Sequence, residues 1–312
     1  MELYRYCKLS DRIIQYIKDR KLYFQNPLNF NDPFECDLNA LCVGSGVDFD
    51  NRFQAYIDML IKRNDYVVRR FNYYGKRITD YASDSTPQKE RYYFNEEAEL
   101  CLKESNALLS EINSLYNCSP SKRQSALIDA WNTKKEQVAN GLGVVCFSEN
   151  NANLLMWSHY ADSHKGICLI YESEERPILK WKKYNYYKIK YRQNREIDVL
   201  KVGFENAFFS LLTTKSPDWE YEKEHRLITI KGPGPQKSRM ASIKGIILGA
   251  RIKENSIDIL SAFFDALKEL NQKRANSPSF KYYYAEKHLS NFEIQVKIIR
   301  RICELRNFIR TP

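Results

Sequence analysis

Strand-forming and helix-forming stretches are segregated along this chain of 312 residues rather than alternating. From about Asp48 to Asn140 it runs in long, charged stretches of helical period, Asp50 to Tyr73, Gln88 to Ser110 and Ser121 to Asn140, with few strand signals. The breaks fall at Ser83-Asp84-Ser85-Thr86-Pro87 and Cys118-Ser119-Pro120, where the residue types favour turns. Before this region the chain reads as strand, helix, strand: Leu3 to Tyr6, Asp11 to Arg20 behind a Ser10 cap, and Leu22 to Phe24. After it come a strand at Gly143 to Ser148, a short helix through Leu154 to Ala161 and a strand at Gly166 to Tyr171. A basic strand and a helix near Arg195 to Leu212 follow, then strands at Glu224 to Ile230 and Ile243 to Leu248. A helix from Ser256 to Leu270 and strands at Phe280 to Tyr284 and Phe292 to Ile299 complete the chain. Because helices do not regularly separate the strands, a doubly wound parallel sheet is disfavoured and an α+β fold with mainly antiparallel strands is expected. Residues 1–312 are read as one domain, with 48–140 a helical insertion or subdomain within it.

Several chemistries are excluded by what is missing. There is no Gly-x-Gly-x-x-Gly after a strand, no phosphate-binding Gly-x-x-x-x-Gly-Lys-Ser/Thr loop, no Gly-x-Ser-x-Gly elbow and no His-Glu-x-x-His helix. Eight cysteines form no Cys-x-x-Cys pair, and with four histidines beside them a zinc site is not expected. Cys146 and Cys168 lie in apolar, strand-like runs and read as buried thiols. No apolar run approaches the roughly 20 residues that cross a bilayer, and Met1 to Tyr6 lacks the apolar core of a signal peptide, so a cytoplasmic protein without a membrane partner is expected.

The formal charge of +10 makes an anionic partner reasonable, and its distribution says more than its size. Between Lys180 and Arg192 basic residues interleave with aromatics, and Lys182, Tyr184, Tyr186 and Lys188 share one face if the stretch is extended. Charge plus stacking suits single-stranded nucleic acid; an edge strand protected by lysines gives the same pattern.

The densest chemistry lies in Trp219-Glu220-Tyr221-Glu222-Lys223-Glu224-His225-Arg226-Leu227-Ile228. An extended chain there puts Glu222, Glu224 and Arg226 on one face, either as a salt-bridged strand or as an active site. Exposed ion pairs contribute only about 0–1 kcal/mol, so stability alone is a weak reason for the arrangement. Trp157 and Tyr160 are spaced three apart on a helix, to stack a flat ring or to pack against the sheet. His159 and His164, five apart, do not match a helical metal pair. In Phe30-Asn31-Asp32-Pro33-Phe34-Glu35 the Asn and Asp favour an ordered turn before the proline, with the two Phe flanking it.

These blocks, with Leu3 to Tyr6, Cys146-Phe147-Ser148, Met156 to Ala161, His164-Lys165-Gly166 and Ile246 to Gly249, stand in the order seen in an uncharacterised bacterial family, the domain of unknown function numbered twenty-nine seventy-one. The chain resembles that family at both ends and through the sheet, and the region after Val43 is the variable part. A second resemblance is to ADP-ribosyltransferases, through an Arg in the first strand, a Ser ending a later strand, aromatics on the next helix and a late Glu-x-Glu. It implies a split, mainly antiparallel sheet and NAD as co-substrate. By that resemblance Arg5 would contact the NAD pyrophosphate or ribose, Ser148 would shape the nicotinamide pocket, Tyr160 or Trp157 would stack, and Glu224 would be the catalytic carboxylate. Tyr6, Asn31 and Asp32 complete the expected NAD-binding set. Glu222 would serve as a base for the acceptor, and Arg226 would hold the carboxylates ionised. One departure is that Glu149 and Asn150 follow Ser148, so no Ser-x-Ser/Thr motif is present. The resemblance implies a toxic effector of bacterial defence or of a toxin-antitoxin system, with a macromolecular acceptor and an antitoxin as partner, and the basic, aromatic strand suggests DNA or RNA as that acceptor. Two alternatives stay open: a non-catalytic nucleic-acid-binding module, and a metal-dependent hydrolase of nucleotides or nucleic acid using Glu222, Glu224 and Asp32.

Overall fold

Ser10 marks the first change from strand to helix, its side chain accepting the Ile13 N–H and so satisfying a donor of the first turn. Arg20 ends that helix in the left-handed region (φ 53°), returning its N–H to the Ile17 carbonyl. The computed structural model describes residues 1–37, 41–42, 49–80, 88–172, 184–237, 243–272 and 280–299. In chain order these form β1 (Glu2–Cys7), α1 (Asp11–Asp19), β2 (Lys21–Phe24), β3 (Leu41–Cys42), α2 (Phe49–Asp80), α3 (Gln88–Tyr116), α4 (Arg123–Gly141) and β4 (Gly143–Ser148). Next come α5 (Leu154–Tyr160), β5 (Ile167–Glu172), β6 (Tyr184–Lys188), β7 (Lys190–Tyr191), β8 (Ile197–Asp198), α6 (Val199–Val202) and α7 (Phe204–Leu212). The remainder is β9 (Thr214–Lys215), β10 (Glu224–Thr229), β11 (Gly234–Lys237), β12 (Ile243–Leu248), α8 (Ile257–Gln272), β13 (Lys281–Lys287) and β14 (Ile294–Ile299).

The chain divides into two compact units. One comprises Met1–Asp37, Val138–Arg195 and Leu211–Pro312 and holds the main sheet, ordered β14-β13-β12-β5-β1-β4-β10-β6. Every neighbouring pair is antiparallel except β12 with β13. The mainly antiparallel α+β reading therefore holds. Period-two alternation sends Leu3 and Cys7 of β1 into a core shared with Ile14 and Ile17 of α1 and Phe263 and Leu267 of α8. Tyr6, on the other face, joins Met156, Trp157 and Ala161 of the α5 segment with Cys168 and Ile170 of β5.

One junction in the sheet is incomplete. β1 and β5 keep register over six residue pairs, as do β4 and β10, whereas β1 and β4 meet at the single pair Tyr4 with Ser148. At its other end β4 is paired instead with Gln25, which exchanges two backbone hydrogen bonds with Val144 (2.8 and 2.9 Å). Between those two points the backbone ladder is open. Gly166, just before β5, has no room for a side chain, since a Cβ there would sit 2.2 Å from the Cys7 carbonyl oxygen.

The second unit, Leu38–Gln137 with Glu196–Ser210, contains the helical stretch expected from the sequence. α2 and α3 run antiparallel, pinned by Arg63 to Glu104 (2.8 Å) and Arg70 to Glu97 (3.1 Å). At its buried centre Tyr56 donates to Glu111 (3.0 Å), which also pairs with Lys134. The expected helix over Arg195 to Leu212 is interrupted: a short strand precedes it, and Gly203 at φ 82° separates α6 from α7.

Candidate active site

The open ladder between β1 and β4 is the wall of a cavity of about 260 Å³. Tyr4, Arg5 and Tyr6 line it from β1, and Cys146 and Ser148 from β4. Phe30, Asn31 and Glu35 enter from the loop after β2, and Tyr160 from α5. Lys215, Glu222, Glu224 and Arg226 also line the cavity. Arg5, Tyr6, Asn31, Ser148, Tyr160, Glu222, Glu224 and Arg226, all singled out from the sequence, thus meet in one place.

The segment before β10 is not extended. Pro217–Glu222 is a 3₁₀ turn, with Ser216 capping the Asp218 N–H, and Lys223 at φ 44° redirects the chain into β10. Proline at the first position and a serine cap favour a helical turn over a strand, which overturns the single-strand reading of Glu222, Glu224 and Arg226. The three side chains still converge, because Lys215 gathers them.

Five charges make the centre of the site. Lys215 contacts Glu35 (2.8 Å), Glu222 (2.6 Å) and Glu224 (3.4 Å), and Trp219 stacks beneath its ammonium group (4.6 Å). Arg226 grips both Glu224 oxygens, Nε at 2.7 Å and Nη2 at 3.0 Å, and donates from Nη2 to Glu35 (2.5 Å) and from Nη1 to the Leu212 carbonyl (2.9 Å). The Phe30 ring covers its guanidinium group at 4.8 Å. All five side chains are at most 4% exposed. Burial alone would raise the Glu224 carboxyl, but the charges of Arg226 and Lys215 outweigh it and lower it to about 2. Burial raises Glu222, with Glu224 adding to the rise and Lys215 opposing it. Burial acts to discharge Lys215 and Arg226, yet the surrounding glutamates raise both.

Glu222 has a second partner, since the Tyr160 hydroxyl donates to its Oε1 at 2.7 Å. Ser148 is fully buried; its Oγ donates to the Glu222 carbonyl (2.6 Å) and accepts the Asn150 N–H (3.0 Å), so it holds the backbone of the carboxylate segment. Arg5 donates to the Tyr23 carbonyl (3.4 Å), and the Tyr6 hydroxyl to the Asn150 carbonyl (2.7 Å).

Other expected site residues are placed differently. Trp157 is fully buried, donates to the Asn151 carbonyl (3.0 Å) and meets Tyr6 edge-on at 5.1 Å, so it is a core residue without a face for stacking a ligand. The Asp32 carboxylate accepts the Phe34 N–H (2.9 Å) and its carbonyl the Glu35 N–H (3.0 Å); it shapes the loop that delivers Glu35 and does not line the cavity. Cys146, expected to be buried, is exposed to the cavity, and the protein atoms crowded around it push its thiol well up. Cys168 is buried as expected. Among the described residues no group of three or more His, Cys, Asp and Glu side chains is placed to hold a metal ion. The three site glutamates are instead gathered around the chain's own cations.

Of the basic-aromatic set, Lys182 and the side chain of Tyr184 lie outside the described residues. Tyr186 stacks on His225 at 5.0 Å, so that ring face is covered rather than free for a base, and Lys188 pairs with Glu149 (2.8 Å). β6 stands at the end of the sheet order, the place where protective lysines are common. No helix of the described residues is long and apolar enough to cross a membrane.

Glu35 and Lys215 were not singled out from the sequence. Glu35 stands at the end of the Asn-Asp-Pro-Phe loop, where its position was a clue. Lys215 sits in Thr213-Thr214-Lys215-Ser216-Pro217, which carries no signal of its own.

Residues 156–227 match the family model described as protein of unknown function (DUF2971). The DUF2971 span carries Tyr160, Lys215, Glu222, Glu224 and Arg226, while Arg5, Glu35 and Ser148 fall outside it. No curated protein and no solved structure gives a significant match. The DUF2971 description names no activity.

Proposed function

We propose that the protein is an NAD-consuming ADP-ribosyltransferase, or an NAD glycohydrolase when water is the acceptor. The reading is carried by the convergence of Arg5, Ser148, Tyr160, Glu222 and Glu224 on one cavity at the opening of an antiparallel sheet. That opening supports likeness to the split core of ADP-ribosyltransferases. Cleavage of the nicotinamide–ribose bond develops positive charge on the ribose, and preorganised carboxylates beside it lower the barrier without reorganising at the moment of reaction. The three buried glutamates outnumber the two cations beside them and leave the site with net negative charge, Arg5 faces the cavity as a cation for the pyrophosphate, and Tyr160 offers an aromatic wall. At about 260 Å³ the cavity suits one ring and its sugar, leaving the rest of the dinucleotide toward the mouth. The acceptor is proposed to be a macromolecule and the setting toxic or defensive, as the ADP-ribosyltransferase resemblance implies.

Incubation with NAD labelled in the adenylate and, separately, in the nicotinamide tests this reading. Wild type should release nicotinamide, and Glu222→Gln with Glu224→Gln together should slow release by about 100-fold or more. Wild-type protein that releases none and transfers no label in cell lysate would overturn it.

A further inference from the structure

The two glutamates of the motif are not held alike, and the difference separates their roles. Both Glu224 oxygens are taken by Arg226, with Lys215 also on Oε2. Its backbone is equally committed, the N–H to the Tyr191 hydroxyl (2.8 Å) and the carbonyl to the Ile189 N–H (3.0 Å). Arg226 in turn is anchored to Leu212 and Glu35, so it cannot swing away from Glu224 without breaking bonds to both. Glu35, Lys215, Glu224 and Arg226 form a closed ring of two anions and two cations. Glu222 is the fifth charge, outside that neutral ring. Its Oε2 faces Lys215, and its Oε1 faces a neutral hydroxyl from another element, that of Tyr160 on α5.

A ribose hydroxyl can replace a tyrosine hydroxyl at that oxygen like for like, exchanging one neutral donor for another. At Glu224 a substrate hydroxyl would have to displace a guanidinium or ammonium group, leaving a buried charge unpaired. We propose that Glu222 is the carboxylate that meets the ribose of NAD, with Tyr160 holding its place in the free protein, and that Glu224 and Glu35 are positioning residues that fix Lys215 and Arg226. This assignment rests on the NAD reading above and reverses the roles expected from the motif. In the step, the ribose C1′–nicotinamide nitrogen bond breaks and its electron pair leaves with the ring. The oxygen of water or an acceptor hydroxyl bonds to C1′, and its proton passes to solvent. Glu222 must be ionised throughout. The groups facing it are Lys215 of β9, Tyr160 of α5, Glu224 of β10, Tyr191 of β7 and Tyr221 of its own turn.

Nicotinamide release across pH by wild type, Glu222→Gln, Tyr160→Phe and the charge-balanced double variant Glu224→Gln/Arg226→Gln tests the assignment. Each is checked for folding by circular dichroism. Glu222→Gln should lose about 100-fold or more in kcat with its fold kept, and the folded double variant should stay within about tenfold of wild type. Tyr160→Phe should move the acid limb of the rate profile to higher pH, because a donor to the ionised carboxylate is gone. Full activity in Glu222→Gln, or a 100-fold loss in the folded double variant with Glu222 intact, would overturn it. Should wild type cleave no NAD, the NAD reading fails, and ¹³C NMR of side-chain-labelled glutamate still decides between the carboxylates. A resonance titrating above the ordinary glutamate range that vanishes in Glu222→Gln upholds Glu222 as the exchangeable one. Its loss in Glu224→Gln instead overturns that.

Discussion

Arg226 is the side chain on which the site's electrostatics depend. It is 1% exposed and pairs with two buried carboxylates, those of Glu224 and Glu35. Replacing it with Gln leaves Glu224 and Glu35 with one cation between them, and breaking a buried pair from one side costs about 3–5 kcal/mol; urea unfolding should show that loss. The same pairing gives stability a sign with pH. Glu224 is lowered from 4.5 to about 2, so its contribution is complete above about pH 4.5 and is lost as pH falls toward 2. Glu222 is raised, so its effect is opposite, favouring the fold below its ordinary value and fading as pH rises through the raised one. Melting temperature followed from pH 5 to pH 2 should therefore fall less in Glu224→Gln, whose lowered carboxylate is gone, than in wild type. Cys146 is a reporter of the same cavity. Its raised thiol should alkylate slowly at neutral pH and faster as pH rises, while fully buried Cys168 stays unmodified, as peptide mass spectrometry after maleimide treatment would show. At this scale the acidic motif was legible because Glu222, Glu224 and Arg226 are near neighbours in sequence. Glu35 was not, because its partners lie far along the chain, and Lys215 was not, because the 3₁₀ turn between it and Glu222 and Glu224 brings them together at a spacing that follows no sequence period.

Among the elements, β4, β10 and β12 follow the expected bounds closely, since β-branched and aromatic runs bounded by Gly, Ser and turn residues specify strand ends well. The approach to β10 was harder to read. A two-residue alternation of charges looks like a strand, and it was overridden by the Ser216 cap and Pro217, whose local hydrogen bonding and fixed φ favour a 3₁₀ turn. Trp157 shows the complementary failure: helical spacing pairs it with Tyr160, but one side chain enters the core and the other the cavity, and spacing alone does not say which. The connection from α5 to β5 carries strict geometry, with Asp162, Ser163 and His164 all at positive φ before Gly166. Gly166→Ala would drive a methyl group into the backbone carbonyls of Cys7 and Ala161. Overpacking of that kind costs about 1–3 kcal/mol, and thermal unfolding should show it; under the proposed function NAD cleavage should weaken as well, because α5 carries Tyr160.

For the whole molecule, the α+β class and antiparallel sheet were legible because strand runs cluster on either side of a helical stretch. Which strands would be neighbours was not, since β1 takes β5 on one side and β4 on the other, both from beyond residue 140. Pairing over that separation depends on the assembled core and leaves no local mark. The site inherits this: its arginine, serine and glutamates are brought together by strand order. The junction of β1 with β4 carries a further consequence. Five strands lie on one side of it and three on the other, joined through Tyr4 and Ser148 as a single rung. A ligand lodged there would act as a fastener, supplying across the seam the cohesion that the missing rungs do not, so occupancy and the integrity of the sheet become one event.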